Sequence, residues 1–227
     1  MHADRNTTPS ALALAWSGGK DSALTLRALR REGVDVRALL TTVTEEYERV
    51  SMHGVRRELL ASQADALGIP LVEVPIPPEC PNEVYEARIA AALASPPLDG
   101  LDAVAFGDIF LEDVRAYREE RLGTAGKRAV FPLWHLGTSA LARDFVADGF
   151  RARIVCLDPR RLDRSFAGRA YDAAFLADLP PEVDPCGENG EFHTFVHAGP
   201  LFTRLVACTA GEVLERDGFV FCDLLPA

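Results

Sequence analysis

The stretch Leu12-Ala13-Leu14-Ala15-Trp16-Ser17-Gly18-Gly19-Lys20-Asp21-Ser22-Ala23-Leu24 decides how this chain is read. The apolar run over residues 12–16 reads as a buried strand. A helical pattern follows over residues 21–31, with Leu24, Leu26, Ala28 and Leu29 at apolar positions. Between them stand two adjacent glycines with a serine at either end. A strand that opens into a helix through such a turn offers the helix's orphan N–H groups and the positive end of its dipole to an anion. Gly18 and Gly19 let the backbone approach that anion with no Cβ in the way. Ser17 and Ser22 can donate hydroxyls, and Lys20 adds charge. Asp21 is misplaced against bare phosphate and fits an N-terminal cap or a Mg2+ contact. A tight turn with a capping serine is the plain alternative. Neither G-x-x-x-x-G-K-[ST] nor G-x-G-x-x-G can be fitted to the chain.

Outward from this turn, strand-like and helix-like segments alternate. Strands are expected over residues 36–43, 71–76 and 103–106, and helices over 55–67, 82–94 and 111–122, with Gly68 a good helix stop. Continuous apolar strands in a β-α-β-α rhythm argue an α/β fold, a parallel sheet covered by helices on both faces. Ligands of such sheets bind outside the carboxyl ends of strands, where both the glycine turn and Gly107-Asp108 fall. After residue 129 the texture changes to an expected helix over 139–147 and a short one over 171–179. Strands are expected there over 152–157, 192–196, 201–208 and 219–224. The chain thus divides into residues 1–129, a nucleotide-type domain, and 130–227, a smaller α+β region packed on it.

Bulk properties bound the function. The 227 residues are 48% hydrophobic and 26% charged, as in soluble globular proteins, and the polar first ten residues carry no signal-peptide core, so a cytoplasmic location is expected. No apolar stretch approaches the ~20 residues of a membrane span. A formal net charge of −10 makes nucleic acid a poor partner. Five widely spaced cysteines without C-x-x-C argue against a disulfide framework and for reduced thiols. Cys186, His193 and His197 fit no zinc-finger spacing; two histidines four apart on a strand lie about 13 Å apart. Of the 24 basic residues only Lys20 and Lys127 are lysine, a bias of GC-rich bacterial genomes that leaves one of the two inside the glycine turn.

The run Ser17-Gly18-Gly19-Lys20-Asp21-Ser22 resembles the PP-loop of the ATP pyrophosphatases, the adenine nucleotide alpha hydrolases, which cleave ATP between its α and β phosphates. Further stretches run nearly the length of the chain: "SMHGVRRELLASQADALGIPL" from Ser51, "AFGDI" from Ala105, "FPLWHL" from Phe131, "GFRARIVCLDPRRL" from Gly149 and "DPCGENGEFHTFVHAGPLF" from Asp184. Together they resemble the diphthine–ammonia ligase family of those enzymes, in a bacterial-type member. Its late motif reads G-E-G-G-E-[FY]-E-T, and this chain departs from it with Asn189 for a glycine and His193 for a glutamate.

The resemblance implies an AMP-forming amide ligase with ATP and Mg2+ as cofactors, in which a substrate carboxylate is adenylated, pyrophosphate leaves and ammonia displaces AMP. It implies nucleotide contacts from Ser17, Gly18, Gly19, Lys20, Asp21 and Ser22, with Asp21 on the metal. By their placement, His53 before a helix and Asp108 at a strand end are expected beside the nucleotide, a cap or core role being the plain alternative for His53 and a helix cap for Asp108. Glu188 and Glu191 flank the Asn189-Gly190 turn and could orient or deprotonate ammonium. With Lys20 and Asp21 they form the expected catalytic set, while Asn189, His193 and Arg118 are expected to face the acceptor. Trp134 is expected in the core rather than on adenine. A tRNA-modifying adenylase and a non-catalytic ATP- or AMP-binding module are the rival readings, and a homo-oligomer is one arrangement left open.

Overall fold

A computed structural model describes residues 9–50 and 53–227. Ser51 and Met52 of the early motif, and the first eight residues, lie outside the described residues. In chain order the first half contains β1 (Ala11–Ala15), α1 (Lys20–Arg31), β2 (Asp35–Thr44), β3 (Arg49–Val50), α2 (Arg57–Leu67), β4 (Leu71–Ile76), α3 (Asn82–Leu93), β5 (Ala103–Ala105), α4 (Glu112–Thr124) and β6 (Arg128–Val130). These strands make one sheet in the order β3-β2-β1-β5-β6, with β4 also paired to β2. Every pairing in it is parallel except that of the two-residue β3. The chain is therefore α/β, as expected.

The alternation inside β1 explains where space is left. Leu12 and Leu14 join one core cluster with Leu24, Leu26 and Leu29 of α1 and Leu59 and Leu60 of α2. Ala13 turns to the opposite face, whose cluster holds Ala38, Leu40, Val104, Phe106, Leu93 of α3 and Leu122 of α4. Large side chains fill one side of the sheet. Alanines on the other leave a hollow under α3 and α4, each of which buries a single residue.

The second half contains α5 (Thr138–Ala147), β7 (Arg151–Leu157), a 3-10 turn (Arg164–Phe166), α6 (Ala173–Asp178), β8 (Phe192–Ala198), β9 (Cys208–Arg216) and β10 (Phe219–Pro226). Its four strands form an antiparallel sheet in the order β8-β7-β10-β9. Ile154, Val155, Phe192 and Phe195 of this sheet belong to the same cluster as Leu24 and Leu26, so α1 lies between the two sheets.

One expectation fails outright. Residues 201–207 are loop, and the strand begins at Cys208 and continues to Arg216. Sequence patterning missed it because Cys208–Arg216 is mostly exposed or half-buried and carries few apolar residues. In the turn that follows, Asp217 and Gly218 take φ of 54° and 79° between β9 and β10, the left-handed pair of a two-residue hairpin. All five cysteines are free. Among the described residues no helix is long and apolar enough to cross a membrane.

Candidate functional site

A cavity of about 800 Å3 opens at the carboxyl ends of β1 and β5, a volume in the range of small-molecule sites. The 17–22 loop forms one wall, with Ser17, Gly19, Lys20, Asp21 and Ser22 lining it. Glu188, His193 and Thr194 enter from the second sheet, and Gly107 and Asp108 from the end of β5. Leu40, Ile89, Leu93, Phe106 and Leu122 form an apolar floor beneath α3 and α4.

The loop is held from several sides. Gly18 has φ +80°, a left-handed conformation that a side chain would strain. Ser17 and Ser22 share a hydroxyl–hydroxyl bond of 2.9 Å, the Ser17 amide donates to Ser22 Oγ at 3.1 Å, and the Gly19 amide donates to Ser17 Oγ at 3.3 Å. Gly19, not Asp21, is the N-cap of α1, and no side chain of its own caps the helix. The Lys20 amide is met by Thr194 Oγ1 of β8 at 2.9 Å. Gly107 makes the close approach of β5 possible, since a Cβ there would stand 3.0 Å from the Asp21 carbonyl carbon.

Lys20 is 2% exposed, and its ammonium donates to both Asp21 oxygens, at 2.8 and 2.9 Å, and to the Cys186 carbonyl. The rings of Phe192 and Tyr171 lie 5.6 and 6.0 Å from Nζ. Burial opposes the charge of Lys20, yet Asp21 and, further off, Glu188 outweigh it and raise its pKa above the ordinary lysine value. The lysine therefore stays charged.

Glu188 reaches across the cavity mouth to accept from the Ile109 amide at 2.6 Å. Burial, opposed by that bond, lifts its carboxyl to about 7. Glu191 behaves differently. It is fully buried, turns away from the cavity, and accepts from the Asp184 amide at 3.1 Å and from the Asn189 amide and side chain at 2.9 and 3.0 Å. Asp184 Oδ1 accepts in turn from the Cys186 and Glu188 amides at 2.8 and 3.3 Å. These two carboxylates knot the 184–191 turn, and the knot aims Glu188 and the Cys186 carbonyl.

The imidazoles of His53 and His193 lie with centroids 4.4 Å apart. Burial and the neighbouring His193 hold His53 well below the usual imidazole range, and burial with the Lys20 ammonium pushes His193 down to about 4. Both rings are neutral at pH 7. Asp108 is no helix cap, since Leu111 occupies that place; it pairs with Arg118 Nε at 2.6 Å. Arg121 pairs with Glu86 of α3 at 3.1 Å. Trp134 lies outside the cavity, against Phe131 and the Arg115 guanidinium. Asn189 is exposed and does not line the cavity.

Sequence reasoning missed Gln63 and Thr194, which the fold brings to the loop from α2 and β8. Gln63 had a signal, being the one polar residue on the buried face formed by Leu59, Leu60, Ala64 and Leu67. Thr194 closes the late motif, which marks the position but not its partner, since the Lys20 amide lies 174 residues away along the chain.

The model of the diphthamide synthase N-terminal domain matches residues 10–127 and that of its C-terminal domain matches residues 137–221. The chain belongs to the diphthamide synthase family. It is also 26% identical over 229 aligned positions to a diphthine–ammonia ligase of Schizosaccharomyces pombe. That alignment covers 92% of this chain and 38% of the relative, so the chain spans well under half of the relative's length. The two family domains meet at the cavity: the first supplies the 17–22 loop and Asp108, the second Glu188, His193 and Thr194.

Proposed function

We propose that the chain is an ATP-dependent, AMP-forming amide ligase. The observation that carries this reading is one cavity shared by the 17–22 loop with its buried ammonium and by the Glu188 carboxyl at about 7. ATP binds with its β and γ phosphates against the amides of residues 18–22, Ser17, Ser22 and Lys20, and with His53 and Asp108 beside the nucleotide. A substrate carboxylate attacks the α phosphorus, and the bond to the bridging oxygen breaks with its electron pair leaving on pyrophosphate. The loop stabilises that departing charge, the electrostatic role that commonly dominates such steps. Ammonia then attacks the acyl carbon, AMP leaves, and ionised Glu188 takes the surplus proton. His193 and Arg118 stand toward the acceptor, while Asn189, outside the cavity, bonds to Glu191, which holds the turn that carries Glu188.

Among the described residues no group of three or more His, Cys, Asp or Glu side chains is placed to hold a metal alone. Mg2+ on a polyphosphate needs only one or two carboxylates, because phosphate oxygens and water complete its shell. The Asp21 carboxylate, 31% exposed on the cavity wall, fits that need; the ion supplies charge neutralisation on the polyphosphate when bound.

The test is incubation with α-labelled ATP, ammonium and a protein bearing diphthine, the acceptor in the name of the S. pombe relative. AMP and pyrophosphate in equal amounts are expected. ADP and orthophosphate would overturn the reading, and AMP formed only with another carboxylate would reassign the acceptor.

A further inference from the structure

An anion cradle made of backbone must turn its N–H groups toward the anion and its carbonyls away. The Gly18-Gly19 peptide is the one most free to turn the wrong way, since neither flanking residue has a Cβ to restrict it. The structure holds this peptide by its oxygen. The Gly18 carbonyl accepts from the Val196 amide at 2.9 Å and from Gln63 Nε2 at 3.0 Å. A trans peptide points its N–H opposite its C=O, so the Gly19 N–H faces Ser17 and the cavity.

Gln63 is fully buried in α2 and does not touch the cavity. Its Nε2 also donates to the Val196 carbonyl at 2.5 Å, and its Oε1 accepts from the Trp16 indole at 2.9 Å. An indole N–H only donates, so it selects the amide orientation that sends Nε2 toward the two carbonyls. Val196 and Trp16 thus fix Gln63, and Gln63 fixes the peptide. Leu60 and Gln63 also crowd the α-carbon of Gly18, where a Cβ would stand 3.0 Å from Leu60 Cδ1 and 2.8 Å from Gln63 Oε1.

We infer that Gln63 is a positioning residue for the polyphosphate site: it locks the Gly18-Gly19 peptide with its N–H toward the cavity and ties the loop to β8 of the second sheet. This deepens the ligase reading and rests on it. Its effect is on the phosphate end of the nucleotide, not on the base.

The experiment measures binding of inorganic pyrophosphate and, separately, of adenosine, to wild type, Gln63→Met and Trp16→Phe, with thermal melts to confirm folding. Gln63→Met keeps the volume and removes the donor pair. It is expected to weaken pyrophosphate at least about tenfold, the size of a hydrogen bond to a charged group, and to leave adenosine within about twofold. Trp16→Phe is expected to give a smaller loss of the same kind, because it frees the amide to flip. Equal loss of both ligands means Gln63 only stabilises the fold, and unchanged pyrophosphate affinity means the peptide needs no lock; either overturns the inference. Wild-type protein that binds adenosine but no pyrophosphate would instead fell the reading of the loop, and the inference with it.

Discussion

Burial lifts the Glu188 carboxyl to about 7, so half its population is protonated near neutrality. Activity in the ammonia step is therefore expected to rise with pH through about 7 as the base ionises, and Glu188→Gln removes that limb. The same shift has a stability sign. Between the ordinary carboxylate range and about 7 the folded chain holds a proton that the unfolded chain has released, so this group's contribution falls as pH rises. Glu188→Gln should raise the melting temperature by about 2–4 °C at pH 8 and little at pH 5, and no difference between the two pH values would contradict the shift. Lys20 carries the opposite risk. Removing it leaves Asp21 and the Cys186 carbonyl without their cation, and breaking a buried pair costs about 3–5 kcal/mol. Lys20→Met should then lose AMP-forming activity by more than about a hundredfold, and Lys20→Arg should not rescue it, because a 2% exposed site has no room for the larger head. Rescue by arginine would show that charge alone suffices there.

At the scale of elements, residues 17–22 and 184–191 are two turns with different legibility. Two glycines, flanking serines and a strand-to-helix context announce the first, and the structure adds that Gly19 rather than Asp21 caps α1 and that Gln63 and Thr194 brace the loop from α2 and β8. In the second turn the acidic pair is plain in the sequence, but its two carboxylates look alike there. Their roles separate only once the fold buries Glu191 against Asp184 and Asn189 and leaves Glu188 lining the cavity. Period and composition do not contain that difference, because it depends on which side of a turn meets the core. Glu191→Ala removes the buried acceptor that three donors on Asp184 and Asn189 share and is expected to cost about 2–4 kcal/mol in chemical denaturation. Gly18→Ala meets both the φ of +80° and the 2.8 Å contact with Gln63, so pyrophosphate binding should fall more than stability does. A variant with normal pyrophosphate affinity would show that the loop tolerates a Cβ.

The whole molecule is joined where its site is. α1 is buried nearly all round because the parallel sheet covers one side and β8 with α5 covers the other. Alternation in the first half made that sheet readable from sequence, whereas the antiparallel sheet rests on pairings between segments such as β7 and β10 that are remote along the chain. No local pattern reports such pairings, while β9, joined to β10 by a short hairpin, was missed because it is exposed or half-buried along its length. One core cluster runs from Leu12 and Leu24 through Ile154 to Phe192 and Phe195, so dividing the chain at residue 129 would strip the outer face of α1. An independently folding unit needs a core of its own. Residues 1–129 produced alone are therefore expected to lack a cooperative melt and to expose apolar surface to a hydrophobic dye, while the full chain melts in a single transition. Pyrophosphate held by the 17–22 loop would lie at the seam, because Thr194 and His193 of the second sheet border that loop. A saturating excess, about a hundred times Kd, should raise the stability of the whole chain by about 2.7 kcal/mol in that one transition. Two resolved transitions, with only the first moved by pyrophosphate, would mean that the sheets fold apart and the seam carries no coupling.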